Sequence, residues 1–296
     1  MTDEPEGPPV TDLPVTLPGC VRFDLSPRTG GAPYRLFLRT PPGEAPAGGW
    51  PVLYLLDGNA VFATAVDALR SQTPWPMGTG ISDAVVVAVG YPTDGAYDSV
   101  RRSWDYGPPP GATYPRHTPD GPEVRTGGAA EFLAFLEDEV KPEIARRVAT
   151  DPARTALFGH SFGGLCALYG LFTRPEAFSH WIAVSPTVYW EDFNLLPHAD
   201  RFGARADRPA GRKVLISVGE YEERLAPFQI GASDEDKRRA AQARAQTESH
   251  ARAMHARLSA LDGVTSAFTL IRGETHMSVL PTAVNQAIRF AFGTWD

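Results

Sequence analysis

A chain of 296 residues has room for one large α/β domain or two small ones. Its 43% hydrophobic and 21% charged residues are ordinary for a soluble globular protein. The formal net charge of −7 offers no basic face for nucleic acid or anionic lipid, and it leaves any anionic ligand to be attracted by local arginines.

The N-terminus is acidic and proline-rich and lacks the basic and apolar regions of a signal peptide. No apolar run approaches the roughly 18 residues that span a bilayer. A cytoplasmic protein with no membrane or nucleic-acid partner is expected. Two cysteines make no disulfide framework, and Cys166 is expected to be a small buried thiol. Residues 1–13 read as a disordered tail, followed by one domain over 14–296.

Taken in order, residues 15–25 and 34–40 alternate apolar and polar side chains around a Pro/Gly turn, which predicts an antiparallel hairpin. Residues 51–57 and 84–90 are continuous apolar runs of the kind found in buried parallel strands, with a helix over 60–71 between them. Residues 91–127 hold seven prolines, many glycines and several aromatics, and read as a long loop insertion. The loop is either a surface excursion packed by its own aromatics or a substrate-facing wall carrying Arg101, Arg102, Arg116 and Arg125. A helical period follows over 129–148, then a strand ending at Gly159-His160, a helix from about Ser161 to 173, and strands over 181–185, 213–219 and 265–272. A long helix over 233–261, acidic at its start and arginine-rich later, precedes the last strand, and a helix over 279–292 follows it. A hairpin followed by alternating βα units implies one doubly wound, mostly parallel sheet.

Gly159-His160-Ser161-Phe162-Gly163 lies where the apolar strand gives way to a helix. In an α/β-hydrolase this pattern is the nucleophile elbow, a sharp turn with the serine at its apex and glycines removing side chains that would collide. A serine needs a base, and this fold supplies acid and then histidine after later strands. His276 is the one histidine after the strand over 265–272; His250 and His255 fall on the preceding helix, and His160 and His180 read as structural. The acid should follow Gly219, where Glu222 leads, Glu220 is the alternative, and Glu223 reads as solvent-facing. The acid holds the imidazole tautomer and stabilises the imidazolium. The oxyanion donors are expected to be the backbone N–H groups of Phe162 and Asn59, with Gly58 letting the backbone approach substrate. Asp57 is a substrate-side candidate, its alternative being a carboxylate that caps the following turn.

VLYLLDGNAVF at 52–62, VGYP at 89–92, Arg101-Arg102, GHSFGG at 159–164, SPTVYW at 185–190, GEYE at 219–222 and His276 occur in one order. Together they resemble the esterase D-like α/β-hydrolases, especially the siderophore (trilactone) esterases acting on enterobactin, salmochelin and bacillibactin. The resemblance implies an α/β-hydrolase that hydrolyses ester bonds of a catecholate or related ferric siderophore and releases iron in the cytoplasm. It implies Ser161 as nucleophile, His276 as base, Asn59 and Phe162 as oxyanion hole and Arg102 as a substrate contact. Tyr189 and Trp190 would form an aromatic wall able to stack on catechol-like rings, the alternative for Trp190 being core packing. The expected protein is a serine esterase without metal or cofactor, acting on a small-molecule ester, in particular a ferric siderophore. The alternatives are a general carboxylesterase or acyltransferase on small or plant-derived esters, and an inactive ligand-binding homologue.

Overall fold

The computed structural model describes residue 12 and residues 14–293. The tail expected over 1–13 therefore lies outside the described residues, apart from residue 12. An eight-stranded sheet runs in the order β1 (Cys20–Leu25), β2 (Tyr34–Arg39), β4 (Val85–Gly90), β3 (Trp50–Leu56), β7 (Thr150–His160), β8 (His180–Val184), β9 (Arg212–Gly219) and β10 (Val264–Ile271). The first three are antiparallel neighbours and the remaining pairs are parallel, so the hairpin stands at one edge of a mostly parallel sheet. A separate two-stranded ribbon pairs β5 (Thr113–Tyr114) with β6 (Val124–Arg125).

The continuous apolar runs bury both faces of the central strands, because successive side chains of a strand point to opposite sides. Val52, Tyr54 and Leu56 of β3 enter one core, while Leu53 and Leu55 enter the other. The second core is closed by α1 (Gly58–Gln72) and by the C-terminal helix Leu280–Phe292. A short turn of helix, α2 (Pro76–Thr79), follows α1, and α3 (Arg101–Tyr106) lies within the segment over 91–127. The first core is closed by α4 (Ala129–Phe135) and α5 (Lys141–Arg147), joined through one π-helical stretch, by α6 (Phe162–Thr173), and by α8 (Leu196–Ala204), which follows the short α7 (Trp190–Phe193).

Several elements depart from the sequence-based reading. Residues 15–19 stay outside β1, and the region 190–204 is helical where no helix was expected. The segment over 91–127 is not a bare loop, since it carries α3 and the β5–β6 ribbon. The long helix over 233–261 is two helices, α9 (Glu235–Ala245) and α10 (Thr247–Ser259), broken at Gln246 in a left-handed conformation (φ 41°, ψ 47°). α10 buries Ala251, Met254 and Leu258 against the sheet, whereas α9 has no buried residue. Without an apolar stripe to hold it on the core, the first half leaves the direction of the second. The C-terminal helix, Leu280–Phe292, is α11.

The parallel registers bring the carboxyl ends of adjacent strands into line. His160 of β7 pairs with Val184 of β8, Val184 with Ser217 of β9, and Gly219 with Ile271 of β10. The loops leaving these ends carry Ser161, Ser185, Glu222 and His276, at the edge where open α/β sheets form their ligand crevices.

Candidate active site

Ser161 sits at φ 59°, ψ −117°, a backbone conformation that an L-residue rarely adopts, between the end of β7 and the start of α6. The elbow's steric need falls on Gly159 and Gly164. A Cβ on Gly159 would come within 2.0 Å of the Gly163 carbonyl oxygen, and one on Gly164 within 2.9 Å of the Val184 oxygen. Gly163 would meet nothing closer than 3.5 Å, so the second glycine of the pattern is not the one the turn depends on.

His276 Nε2 lies 3.1 Å from Ser161 Oγ, and His276 Nδ1 lies 2.8 Å from Glu222 Oε2. With the proton on Nδ1 donated to the carboxylate, Nε2 is left to accept from the serine. Glu222 is buried, and its other oxygen accepts the Gly219 N–H at 2.9 Å and the Ser185 hydroxyl. Both carboxylate oxygens are therefore engaged and the side chain cannot swing. The Ser185 hydroxyl was not foreseen from sequence; a serine at the carboxyl end of a buried strand, level with the acid's strand, is the signal that could have found it. His160 Nε2–H donates to the His276 carbonyl at 2.7 Å. Burial, helped by the neighbouring His276, pushes the His160 pKa down to about 3, so the ring stays neutral and keeps that donor.

Glu220 does not reach His276. One oxygen pairs with Arg224 and the other accepts the Gly273 N–H at 2.8 Å, which lowers its pKa and braces the turn after β10. Glu223 is not merely solvated either, since it accepts the Ser249 N–H and hydroxyl at the start of α10. His180, His250 and His255 find partners elsewhere, in Ser179, Ala245 and Ser266.

Asn59 and Phe162 each lie in the first turn of a helix, where the N–H has no intrahelical partner. Neither N–H donates to another described residue. The Asn59 side chain is structural: it accepts the Tyr91 N–H at 2.9 Å and donates to the Tyr91 and Thr93 carbonyls, both at 3.0 Å. The space left by Gly58 serves β4 rather than a ligand, for a Cβ there would meet the Ala88 backbone at 2.9 Å.

Asp57 neither caps α1 nor faces the pocket. It is buried and makes a two-pronged pair with Arg102, Nε and Nη2 each 2.8 Å from a carboxylate oxygen. Burial works against the Arg102 charge, but the Asp57 carboxylate outweighs it and raises the guanidinium pKa. Arg102 is thus spent on Asp57 and does not line the cavity beside Ser161. The other arginines of 91–127 do not line it either. Arg101 binds the Ala32 and Pro33 carbonyls, Arg116 binds Gly121, and Arg125 lies 5.3 Å from the Trp104 ring centre. The segment instead buttresses the site from behind, where Tyr114 packs on Trp190 at 5.2 Å and its hydroxyl reaches Glu191.

A cavity of about 460 Å³ opens above Ser161 and His276. Tyr189 and Trp190 line it, and Trp190 also packs edge-on against Phe162 at 4.6 Å. Phe228, Thr187 and residues of α9 complete the walls, none of them anticipated from sequence. Among the described residues no helix is long and apolar enough to cross a membrane, and no cluster of three or more His, Cys, Asp or Glu could hold a metal.

A serine at the strand-to-helix turn of a doubly wound, mostly parallel sheet with an N-terminal hairpin defines the α/β-hydrolase class. Within that class, the Esterase family model matches residues 26–266, and the chain belongs to this family of ester-hydrolysing enzymes. It is 35% identical over 282 residues to the ferri-bacillibactin esterase BesA of Bacillus subtilis, covering 93% of this chain and 90% of that protein. It is 34% identical over 300 residues to the siderophore triacetylfusarinine C esterase of Aspergillus fumigatus, covering 95% and 96% of the two chains. The solved structure of the siderophore hydrolase EstA from Aspergillus nidulans superposes with a TM-score of 0.82 at 29% identity, over 96% of this chain and 98% of that one.

Proposed function

We propose that the protein is a serine esterase that cleaves ester bonds of a ferric siderophore through an acyl-enzyme, within one domain and in the cytoplasm. The observation that carries the chemistry is the unbroken hydrogen-bonded chain Ser161–His276–Glu222 beneath an open cavity. Ser161 Oγ attacks the ester carbonyl as its proton passes to His276 Nε2. Glu222 stabilises the imidazolium, and the N–H groups of Phe162 and Asn59 receive the oxyanion. Collapse breaks the C–O bond, and the departing alkoxide takes the proton from His276. Water, deprotonated by the same ring, then attacks the acyl-enzyme and releases the carboxylic acid and Ser161 Oγ–H. The relatives that match almost the whole length of this chain are siderophore esterases, which supports the substrate class. Iron enters this scheme as part of the substrate.

A fluorophosphonate probe is expected to label the wild type and leave Ser161→Ala unlabelled, and the same substitution is expected to lower kcat by about 10⁴-fold or more with an unchanged Tm. A panel of apo and ferric siderophores beside short acyl esters tests the substrate. Higher kcat/KM on a siderophore supports the reading, and preference for simple acyl esters replaces it with a general carboxylesterase.

A further inference from the structure

α9 is a polar helix that buries no residue against the core. Arg238, Ala241, Gln242 and Ala245 recur at the i, i+3, i+4, i+7 spacing that puts side chains on one helical face, and all four line the cavity above Ser161. No residue of α9 is buried, so this stripe faces a solvent-filled space instead of packed side chains. The helix is nonetheless fastened: Gln242 Nε2 donates to the Tyr221 and Arg224 carbonyls at 3.1 and 3.0 Å, and the break at Gln246 ties its end to α10. The two alanines leave room on the cavity side.

The charged side chains lining the cavity are Glu222, Arg238 and Arg244. Glu222 is saturated by His276, Ser185 and Gly219. Arg238 is paired with Asp234 at 2.7 Å. Arg244 has no carboxylate or carbonyl partner among the described residues, although most arginines of this acidic chain are ion-paired or bound to carbonyls. The rings of Tyr189, Trp190 and Phe228 line the same cavity. The only uncompensated charge at the pocket, among the described residues, is therefore positive and shares the cavity with aromatic side chains.

We infer that Arg244, seconded by Arg238, forms a subsite that selects esters carrying an anionic group away from the scissile bond, which sits between α9 and the aromatic wall. The inference rests on the esterase reading above and adds to it the residues that set substrate charge. None of these arginines lies in the segment over 91–127, for which a cationic wall is one of the two readings the sequence allows. An exposed arginine acts on a charged ligand through a charge-assisted hydrogen bond and a field that salt weakens.

The test uses two 4-nitrophenyl esters of matched acyl length, one ending in a methyl group and one in a carboxylate. The ratio of their kcat/KM values, anionic over neutral, is the readout. Arg244→Gln is expected to lower that ratio at least about fivefold, mostly through KM, and Arg244→Glu to lower it further. Arg238→Gln is expected to lower it less, because Asp234 already offsets that charge. In the wild type the ratio is expected to fall as salt rises from 50 to 500 mM (chosen values, roughly a threefold change in screening length), and in Arg244→Gln to respond less. Arg146→Gln, which removes an equal charge from α5, is the control. A ratio unmoved by Arg244→Gln, or moved equally by Arg146→Gln, overturns the subsite while leaving the esterase intact. Absence of turnover on both esters, with no fluorophosphonate labelling, overturns the esterase reading and the subsite with it.

Discussion

On the floor of the pocket, Ser161, Glu222 and His276 hang from loops at the carboxyl ends of the parallel strands β7, β9 and β10, and the Glu222 side chain is 1% exposed with every oxygen engaged. On its wall, α9 buries no residue and is held by one glutamine and a break in the chain. The difference separates two kinds of constraint. A floor residue is fixed by the sheet register and by hydrogen bonds to its neighbours, so substitution there is expected to remove the Ser161–His276–Glu222 geometry. A wall residue is fixed by little, so substitution there changes which ligand is held while the fold stands. Under the mechanism proposed above, the floor would govern kcat and the wall selectivity.

The comparison is sharpened most by Glu222→Gln beside Glu220→Gln. The first presents His276 with an amide in place of the carboxylate and is expected to lower kcat by about 10³- to 10⁴-fold. The second is expected to leave kcat within about twofold, because Glu220 serves the turn at Gly273. Equal losses in steady-state kinetics would sink the assignment of the acid.

Arg102 tests where the floor ends. Arg102→Gln strips the buried Asp57 carboxylate of its partner and is expected to cost about 3 kcal/mol of stability, read as a lower midpoint in urea. An unchanged midpoint with a raised KM would return Arg102 to the wall as a ligand contact.

The smallest effect is a pH dependence of stability. His160 is held near a pKa of about 3 in the fold against its ordinary 6.5. Between those values the unfolded chain binds the extra proton, so this contribution to stability is complete above 6.5 and is lost as pH falls. Asp105 is pushed up to about 6 by burial, against the hydrogen bonds it accepts from Tyr34 and Tyr91, and acts in the opposite sense, favouring the fold as pH drops. His160→Gln keeps Asp105 and removes only the histidine titration. Its Tm is therefore expected to fall less than that of the wild type between pH 7 and pH 5 (chosen values spanning the ordinary His pKa). Parallel curves would mean that His160 is not held neutral.

Much of the floor was legible in the sequence because its signals are local. The apolar runs of β3 and β4 announce strands buried on both faces, and the chain order of Ser161, the glutamates and His276 follows from where the strands end. Glu222 leads Glu220 in the sequence only by its spacing from Gly219, because the hydrogen bonds that tell them apart, Glu222 to His276 and Glu220 to Gly273, join residues 54 and 53 positions apart. The wall was misread for a different reason. A helix pattern running through 233–261 does not reveal that its first half lacks a core to lie on, and the arginines of 91–127 drew attention because they cluster in sequence. Their partners, Asp57 and the carbonyls of Ala32 and Pro33, are distant in the chain and invisible to spacing.

His276 follows β10, the strand at the edge of the sheet, whose residues are mostly only half-buried. Edge elements open at a lower free energy than the centre of a sheet. The serine and its elbow belong to the centre, between β3 and β8, and survive such an opening. Loss of hydrolysis on warming is therefore expected to run ahead of loss of the core.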